Sequence, residues 1–205
     1  MVKIFIDGSA GTTGLRIAER LAGREDLHVT ALPEEKRKDA AARAAALNAA
    51  DVAILCLPDA AAREAAEWID DPDTVVLDTS TAHRTAPGWA YGFPELSAAH
   101  AQAVRTAKRI AVPGCHASGF IALTAPLAAA GIIPAGTQLS CFSLTGYSGG
   151  GKSMIGQYTA QPRPEGLHAP RQYALGQTHK HLPEMAAQSG LPAPLFCPVV
   201  GDYYS

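Results

Sequence analysis

Short apolar runs alternate with segments of helical periodicity through the first half of the chain. Residues 3–6, 28–32, 52–57 and 74–78 are predicted strands. Helices are predicted after the first strand, with Leu15, Ala18, Leu21 and Ala22 on one face, and at residues 35–50 and 60–69. Strands that are apolar throughout and separated by helices are typical of a parallel sheet covered on both faces.

The pattern changes near Cys115. Beyond it we predict an apolar helix (117–129), a strand (137–144), a loop rich in proline and glycine (161–170), a short helix (182–188) and a last strand (195–200). The change predicts two domains, a nucleotide-binding type of domain over residues 1–114 and a second domain over residues 115–205.

Composition excludes several classes of function. Hydrophobic residues make up 47% of the 205, and 17 Lys and Arg against 19 Asp and Glu leave a formal charge of −2. Without a basic excess we expect no nucleic-acid partner, and no apolar run approaches the roughly 20 residues of a membrane helix. The first residues lead into a glycine turn and show no export signal. The four cysteines follow neither a zinc nor a disulfide pattern, so we expect no metal and a cytoplasmic protein.

Three glycines with G-x-x-G-x-x-G spacing separate the first strand from the first helix. Glycine permits a tight turn and a close approach of the backbone to a pyrophosphate, whose charge is met by the helix N-terminus. The alternative is an ordinary glycine-rich turn, but the position between strand and helix favours a nucleotide. The residues expected to bind it are Gly8, Ser9, Gly11, Thr12, Thr13 and Gly14.

The end of the second strand bears on which nucleotide is bound. An acidic residue there holds a ribose hydroxyl, whereas a cation holds a 2′-phosphate. Here Glu34 and Glu35 are followed at once by Lys36, Arg37 and Lys38. The alternative is that these charged residues form the solvent-exposed start of a helix and bind no ligand. Lys36 and Arg37 nevertheless favour NADP(H) as the cofactor.

Cys115 stands at the start of the apolar helix, in the sequence Pro113-Gly114-Cys115-His116. A helix N-terminus favours a thiolate, and His116 is expected to add to that preference. We therefore interpret Cys115 as a nucleophile. Cys56, Cys141 and Cys197 lie in apolar strands and are interpreted as small buried hydrophobes.

A second glycine-rich stretch, residues 146–153, matches G-x-x-x-x-G-K-S, the phosphate-binding loop of nucleoside triphosphatases. Such proteins need a further strand that carries a magnesium-binding acid. No apolar strand ends in Asp before Asp202, so this function is the weaker alternative. A regulatory nucleotide-binding module without chemistry is a third possibility.

Four motifs in this order resemble the N-acetyl-gamma-glutamyl-phosphate reductase family, in particular its shorter bacterial type. They are the glycine turn, Asp78-Thr79-Ser80-Thr81-Ala82-His83-Arg84, Pro113-Gly114-Cys115-His116-Ala117-Ser118-Gly119 and Thr178-His179-Lys180-His181-Leu182-Pro183-Glu184. The resemblance covers the whole chain. It implies an α/β fold in which a Rossmann-type parallel-sheet domain precedes an α+β catalytic domain like that of glyceraldehyde-3-phosphate dehydrogenase.

The resemblance also implies a reaction. Cys115 attacks the acyl phosphate of N-acetyl-glutamyl phosphate, and NADPH reduces the resulting thioester to the semialdehyde, in arginine biosynthesis. The acid/base residue is His179 or His181, with His179 slightly favoured. Two histidines without a third ligand make no metal site.

Other positions follow from the same resemblance. Ser80, Arg84 and Ser118 are expected to bind the substrate, and Gly149 and Gly150 to border the cofactor. The partners implied are a small acyl-phosphate substrate and further copies of the chain, as a dimer or tetramer. An aspartate-semialdehyde dehydrogenase type of reductase, acting on another acyl phosphate, is the closest alternative. Because members of the family run further, we expect Ser205 to lie inside an incomplete second domain.

Overall fold

The computed structural model describes all residues from Met1 to Ser205, in two compact units, Met1–Gly114 and Cys115–Ser205. The first unit is a six-stranded parallel sheet in the order β2-β1-β3-β4-β6-β5. Its strands are Val2–Asp7 (β1), Leu27–Thr30 (β2), Val52–Leu55 (β3), Val75–Asp78 (β4), Ala90–Tyr91 (β5) and Arg109–Ala111 (β6). Its helices are Thr12–Leu21 (α1), Ala40–Asn48 (α2), Asp59–Glu67 (α3) and Ala98–Thr106 (α4).

Side chains of β1 pack on both faces of this sheet. Phe5 joins one buried cluster with Leu47 of α2, while Ile4 and Ile6 join another, against α1. Successive side chains of a strand point to opposite faces, so a strand buried on both sides must be apolar throughout. The predicted parallel sheet covered on both faces is confirmed.

Two predicted helices differ from the observed ones. The α1 face that packs on the sheet contains Ile17, Ala18 and Leu21, whereas Leu15 is exposed and the helix ends before Ala22. Gly14 is buried against the turn before the helix, and this contact sets which face of α1 meets the sheet.

The second helix begins at Ala40 and not at residue 35. The backbone N–H groups of Lys36 and Arg37 both donate to the Pro33 carbonyl, which makes the charged run a turn. Asp39 then caps α2 by accepting a hydrogen bond from the N–H of Ala42 at 3.0 Å.

The second unit has a three-stranded mixed sheet and three α-helices. Its strands are Ser140–Thr145 (β7), Arg171–Gln172 (β8) and Leu195–Val200 (β9), and its helices are Cys115–Ala129 (α5), Gly151–Thr159 (α6) and Leu182–Ser189 (α7). Strand β9 lies between the other two, parallel to β7 and antiparallel to β8. The predicted last strand matches β9 residue for residue, and α5 begins two residues earlier than predicted. None of the helices combines the length and apolar character needed to cross a bilayer.

Candidate active site

The glycine turn after β1 is shaped by two close approaches of backbone. Gly8 has φ +83°, and a Cβ atom there would lie 2.3 Å from the Cys56 carbonyl oxygen. A Cβ atom on Gly14 would lie 2.6 Å from the carbonyl oxygen of Gly8. Only glycine fits these two positions, so the turn holds the end of β1 tightly against both β3 and α1.

This turn leaves the N-terminus of α1 accessible to an anion. Gly11 occupies the N-cap position without a side-chain cap, and no acidic residue lies in the first turn, which contains Thr12 and Thr13. The sheet order changes direction at β1 and β3, where parallel sheets of this kind bind nucleotides. A cavity of about 250 Å³ opens there, lined among others by Gly8, Ser9 and Gly11. These features fit a dinucleotide pyrophosphate.

Two cations line the same cavity, and they are not the predicted pair. Arg37 and Lys38 line it, whereas Lys36 does not. Arg37 also forms an ion pair with Glu34 at 2.7 Å. Residues 34–38 form a turn, which gives neighbouring side chains different directions from those in a helix. The contact of Lys36 with a cofactor stays a prediction. No periodic pattern in the sequence indicates that Lys38 lines this cavity.

We expect Gly8→Ala to abolish dinucleotide binding. The new methyl group would collide with the Cys56 carbonyl and force an unfavourable φ, at a cost of about 1–3 kcal/mol in stability. Titration of NADPH by fluorescence, together with urea unfolding, measures both effects. Gly23→Ala is the matched control, because no atom lies within 4 Å of the added Cβ and its φ is not in the positive region. Equal NADPH affinity in the Gly8 and Gly23 variants would contradict this role of the turn.

The polar side chains of the loop after β4 form hydrogen bonds with one another and with backbone groups of the first unit. Asp78 is fully buried and accepts a hydrogen bond from the Ser80 hydroxyl at 2.7 Å, while His83 Nδ1 lies 2.6 Å from the same carboxylate. Arg84 is 8% exposed and donates to the carbonyl groups of Val112 and Thr79. These contacts give Ser80 and Arg84 a structural role in the loop. Their contact with a substrate stays a prediction.

Cys115 is the first residue of α5 and is exposed. It lines a cavity of about 330 Å³ together with His116, Ser143 and other residues of the second unit. The other cysteines differ from it. Burial raises the pKa of the Cys56 thiol to about 11, and burial followed by the charge of Cys197 raises that of Cys141. Cys115 therefore differs from them in combining exposure with a position at a helix N-terminus.

His116 does not supply the positive charge that we expected beside this thiol. Its Nδ1 lies 2.6 Å from the Ser143 hydroxyl, and its Nε2 lies 2.8 Å from the Tyr173 hydroxyl. Burial lowers the pKa of His116, so the ring is neutral at pH 7. His116 therefore holds two hydroxyl groups near the cavity.

His179 and His181 form one cluster with His116. The ring centroids of His179 and His181 lie 5.8 and 5.7 Å from that of His116. His179 is half-buried, and its Nδ1 accepts a hydrogen bond from the His181 backbone N–H at 3.1 Å. Burial, then the charges of His116 and Lys180, lower the pKa of His179. A neutral ring whose Nδ1 accepts a hydrogen bond carries its proton on Nε2.

His181 has a different environment. It is 5% exposed, and its Nε2 lies 3.9 Å from a carboxylate oxygen of Glu184, which is itself 1% exposed. His181 therefore packs against the first turn of α7. Of the two candidates left open by the sequence, His179 is the more accessible to a substrate.

The remaining predicted positions also lie in the second unit. Ser118 is half-buried in the first turn of α5, and Gly149 and Gly150 belong to a 3₁₀ turn before α6. Their contacts with substrate and cofactor stay predictions. Gly146 has a packing role, because a Cβ there would lie 2.5 Å from the Tyr204 carbonyl oxygen. Tyr173 and Ser143 were missed, since no motif marks either residue.

Comparison with known proteins identifies the family. Residues 3–104 match the NAD binding domain of semialdehyde dehydrogenases, and residues 115–204 match their dimerisation domain. The chain belongs to the semialdehyde dehydrogenase family. The first match implies a nicotinamide cofactor for the Rossmann-type unit, in agreement with the glycine turn. The second includes residues 146–153, so their interpretation as a nucleoside-triphosphatase loop is wrong.

Curated relatives within this family share one name. The N-acetyl-gamma-glutamyl-phosphate reductases of Chelativorans sp. (strain BNC1) and Rhizobium meliloti (strain 1021) are 51% and 50% identical over 98% of this chain. That of Burkholderia lata is 48% identical over the same share. The chain spans 64–66% of the length of these relatives.

Solved structures of the family share the fold at low identity. Aspartate semialdehyde dehydrogenase II from Vibrio cholerae has a TM-score of 0.69 and 15% identity over 100% of this chain and 71% of its own. A probable aspartate-semialdehyde dehydrogenase from Pseudomonas aeruginosa has a TM-score of 0.67 and 14% identity, and the match covers 99% of this chain and 71% of that protein. The predicted succession of a Rossmann-type domain and an α+β domain is thereby confirmed.

Proposed function

We propose that the protein reduces N-acetyl-L-glutamyl 5-phosphate to the 5-semialdehyde, with release of phosphate, in arginine biosynthesis. The observation that carries the proposal is the exposed thiol of Cys115 at a helix N-terminus, in the unit that also holds the histidine cluster. The names of relatives at 48–51% identity support the choice of this acyl phosphate.

The thiolate of Cys115 attacks the acyl carbon, so that a C–S bond forms, the bond to the phosphate oxygen breaks, and inorganic phosphate leaves. The attack places negative charge on the carbonyl oxygen. The Nε2–H of neutral His179 is suited to donate a hydrogen bond to this oxygen, as a fixed donor does in an oxyanion hole. In this role His179 stabilises charge and does not take up the thiol proton.

The hydride that reduces the thioester is the chemistry a nicotinamide cofactor supplies when it is bound. Gly8, Ser9 and Gly11 are positioned to hold its pyrophosphate, with the N-terminus of α1 behind them. Arg37 and Lys38 line the same cavity and suit a 2′-phosphate. We therefore propose NADP(H) as the cofactor.

Lys38→Ala is expected to raise the Kd for NADPH about tenfold and to leave that for NADH nearly unchanged. The lost group is a cation that only the 2′-phosphate engages, and a charge-assisted contact is worth roughly 1.5–3 kcal/mol. Isothermal titration with both dinucleotides measures the difference. Lys36→Ala is the control, since this lysine does not line the cavity. A parallel loss of affinity for NADPH and NADH would argue against recognition of the 2′-phosphate.

The proposed partners are the acyl-phosphate substrate and further copies of the chain, as a dimer or tetramer. One face of the second sheet exposes Phe142 (70%), Leu144 and Leu195, and the matching family domain is described as a dimerisation domain. We also propose a cytoplasmic location, with which four free cysteines agree.

The deciding experiment is phosphate-dependent reduction of NADP⁺ with two aldehydes, N-acetylglutamate semialdehyde and aspartate semialdehyde. The shared fold of aspartate-semialdehyde dehydrogenases makes the second aldehyde the proper comparison. We expect turnover of the acetylated substrate to exceed that of the other by at least about 100-fold. Preference for aspartate semialdehyde, or turnover of neither, would overturn the proposal.

A further inference from the structure

The segment that carries the histidines begins as a strand and then leaves the sheet. Strand β8 pairs with β9 through Arg171 opposite Val200 and Gln172 opposite Val199. The backbone N–H of Tyr173 still donates to the Pro198 carbonyl at 3.1 Å. In an antiparallel ladder the next backbone partner on β9 would be Phe196.

The side chain of Gln177 takes the place of that backbone partner. Its Nε2 donates to the Phe196 carbonyl at 2.8 Å, and its Oε1 accepts from the Phe196 N–H at 2.7 Å. A primary amide offers one donor and one acceptor side by side, as the backbone of a strand does. Because Phe196 is 1% exposed, both of its backbone groups require such partners.

The intervening turn is held in an uncommon conformation. Ala174 and Gln177 both have φ of 53°, which residues other than glycine rarely adopt, and the Gln177 N–H donates to the Ala174 carbonyl at 3.1 Å. Such conformations persist only where surrounding contacts fix them. The Gln177 amide supplies two such contacts.

The consequence of this turn is the position of His179, two residues further on. The rings of His116 and His179 pack edge-on against the Phe196 ring, with centroids 5.3 and 5.0 Å away. Phe196 therefore binds Gln177 through its backbone and contacts both histidines through its side chain.

We propose that Gln177 is a positioning residue for His179, acting as a strand mimic whose amide pairs with the backbone of Phe196. The catalytic consequence rests on the proposed function, whereas the positioning itself does not. Nothing in the sequence marks Gln177, because it lies in no motif and its partner is 19 residues away.

The first test is the kinetics of Gln177→Ala, with Gln157→Ala, an exposed glutamine of α6, as the matched control. We expect kcat to fall about 10–100-fold for Gln177→Ala, since a displaced donor loses its alignment with the reacting oxygen. The KM for NADP⁺ should stay within about twofold of the wild-type value, and Gln157→Ala should keep wild-type kinetics. Unchanged kcat in a folded Gln177→Ala protein would overturn the proposal.

The second test uses Gln177→Glu, which preserves the shape of the side chain. A carboxylate cannot donate to the Phe196 carbonyl, whereas the protonated acid restores both a donor and an acceptor. The ratio of variant to wild-type kcat should therefore rise up to tenfold for each unit of pH decrease. Division by the wild-type rate removes the titration of the groups around His179, namely Tyr173, His116, Lys180, His181 and Cys115. A ratio that does not change with pH would argue against the amide pairing.

A third measurement is independent of turnover. Nitrogen-15 NMR of the imidazole rings reports the tautomer of His179, which in the wild type should carry its proton on Nε2. In Gln177→Glu at neutral pH we expect a mixture of tautomers. If the NMR changes as expected and the wild type turns over neither aldehyde, the positioning stands and the proposed function falls. If the wild type is active and the Glu variant keeps the wild-type tautomer, the positioning is wrong.

Discussion

Cys115→Ser is expected to lower phosphate-dependent oxidation of N-acetylglutamate semialdehyde by about 10⁴-fold or more. A serine hydroxyl is not ionised near pH 7, and a helix N-terminus cannot supply the free energy needed to ionise it. The affinity for NADPH should be unchanged within about twofold, because the glycine turn belongs to the other unit. The measurements are the rate of NADPH formation at saturating substrates and a fluorescence titration of NADPH.

The control for this variant is Cys197→Ser, which makes the same chemical change at a half-buried cysteine of β9. It should keep turnover within about threefold of the wild type, with some loss of stability. Iodoacetamide should modify Cys115 first in the wild type, since Cys115 is the exposed cysteine. Substantial turnover by Cys115→Ser would remove the nucleophile from the proposed function.

His179→Ala is expected to lower kcat by about 10²–10³-fold, the usual loss when one fixed donor to an oxyanion is removed. His179→Gln separates the two roles that a histidine can play there. A glutamine amide still offers an N–H but cannot accept a proton, so a donor role predicts that Gln restores much of the rate. If Gln and Ala reduce kcat equally, His179 acts as a general base instead.

The pH profile supplies a second measure of the same residue. Protonation of His179 at Nδ1 would break its hydrogen bond with the His181 N–H, so the rate should fall as the pH drops through the His179 pKa. Burial, the charge that His116 carries when it is protonated, and the charge of Lys180 lower that pKa, so the fall should occur below pH 6.5, the ordinary histidine value. His181→Ala should reduce stability more than kcat, because His181 is buried against Glu184.

Local sequence patterns predicted the features that depend on near neighbours in the chain. Apolar strands alternating with helices identified the parallel sheet, since a strand buried on both faces must be apolar throughout. The spacing of the glycines predicted the turn before α1, and in the structure only glycine fits at position 8. Pro113-Gly114 before Cys115 placed the thiol at a helix start. These conclusions required only the geometry of consecutive residues.

Contacts between distant residues decided the rest. The turn at residues 34–38 places Arg37 and Lys38 in the lining of the cavity beside the glycine turn. Both nitrogens of His116 lie within hydrogen-bond distance of hydroxyl groups that are 27 and 57 residues away in the chain, and burial lowers the pKa of the ring. The sequence alone identified Cys115 and the two histidines as candidates; the tertiary structure decided which further residues surround them and which are buried or accessible. The physical reason is that protonation and orientation depend on desolvation and hydrogen-bond partners, which exist only once the chain has folded.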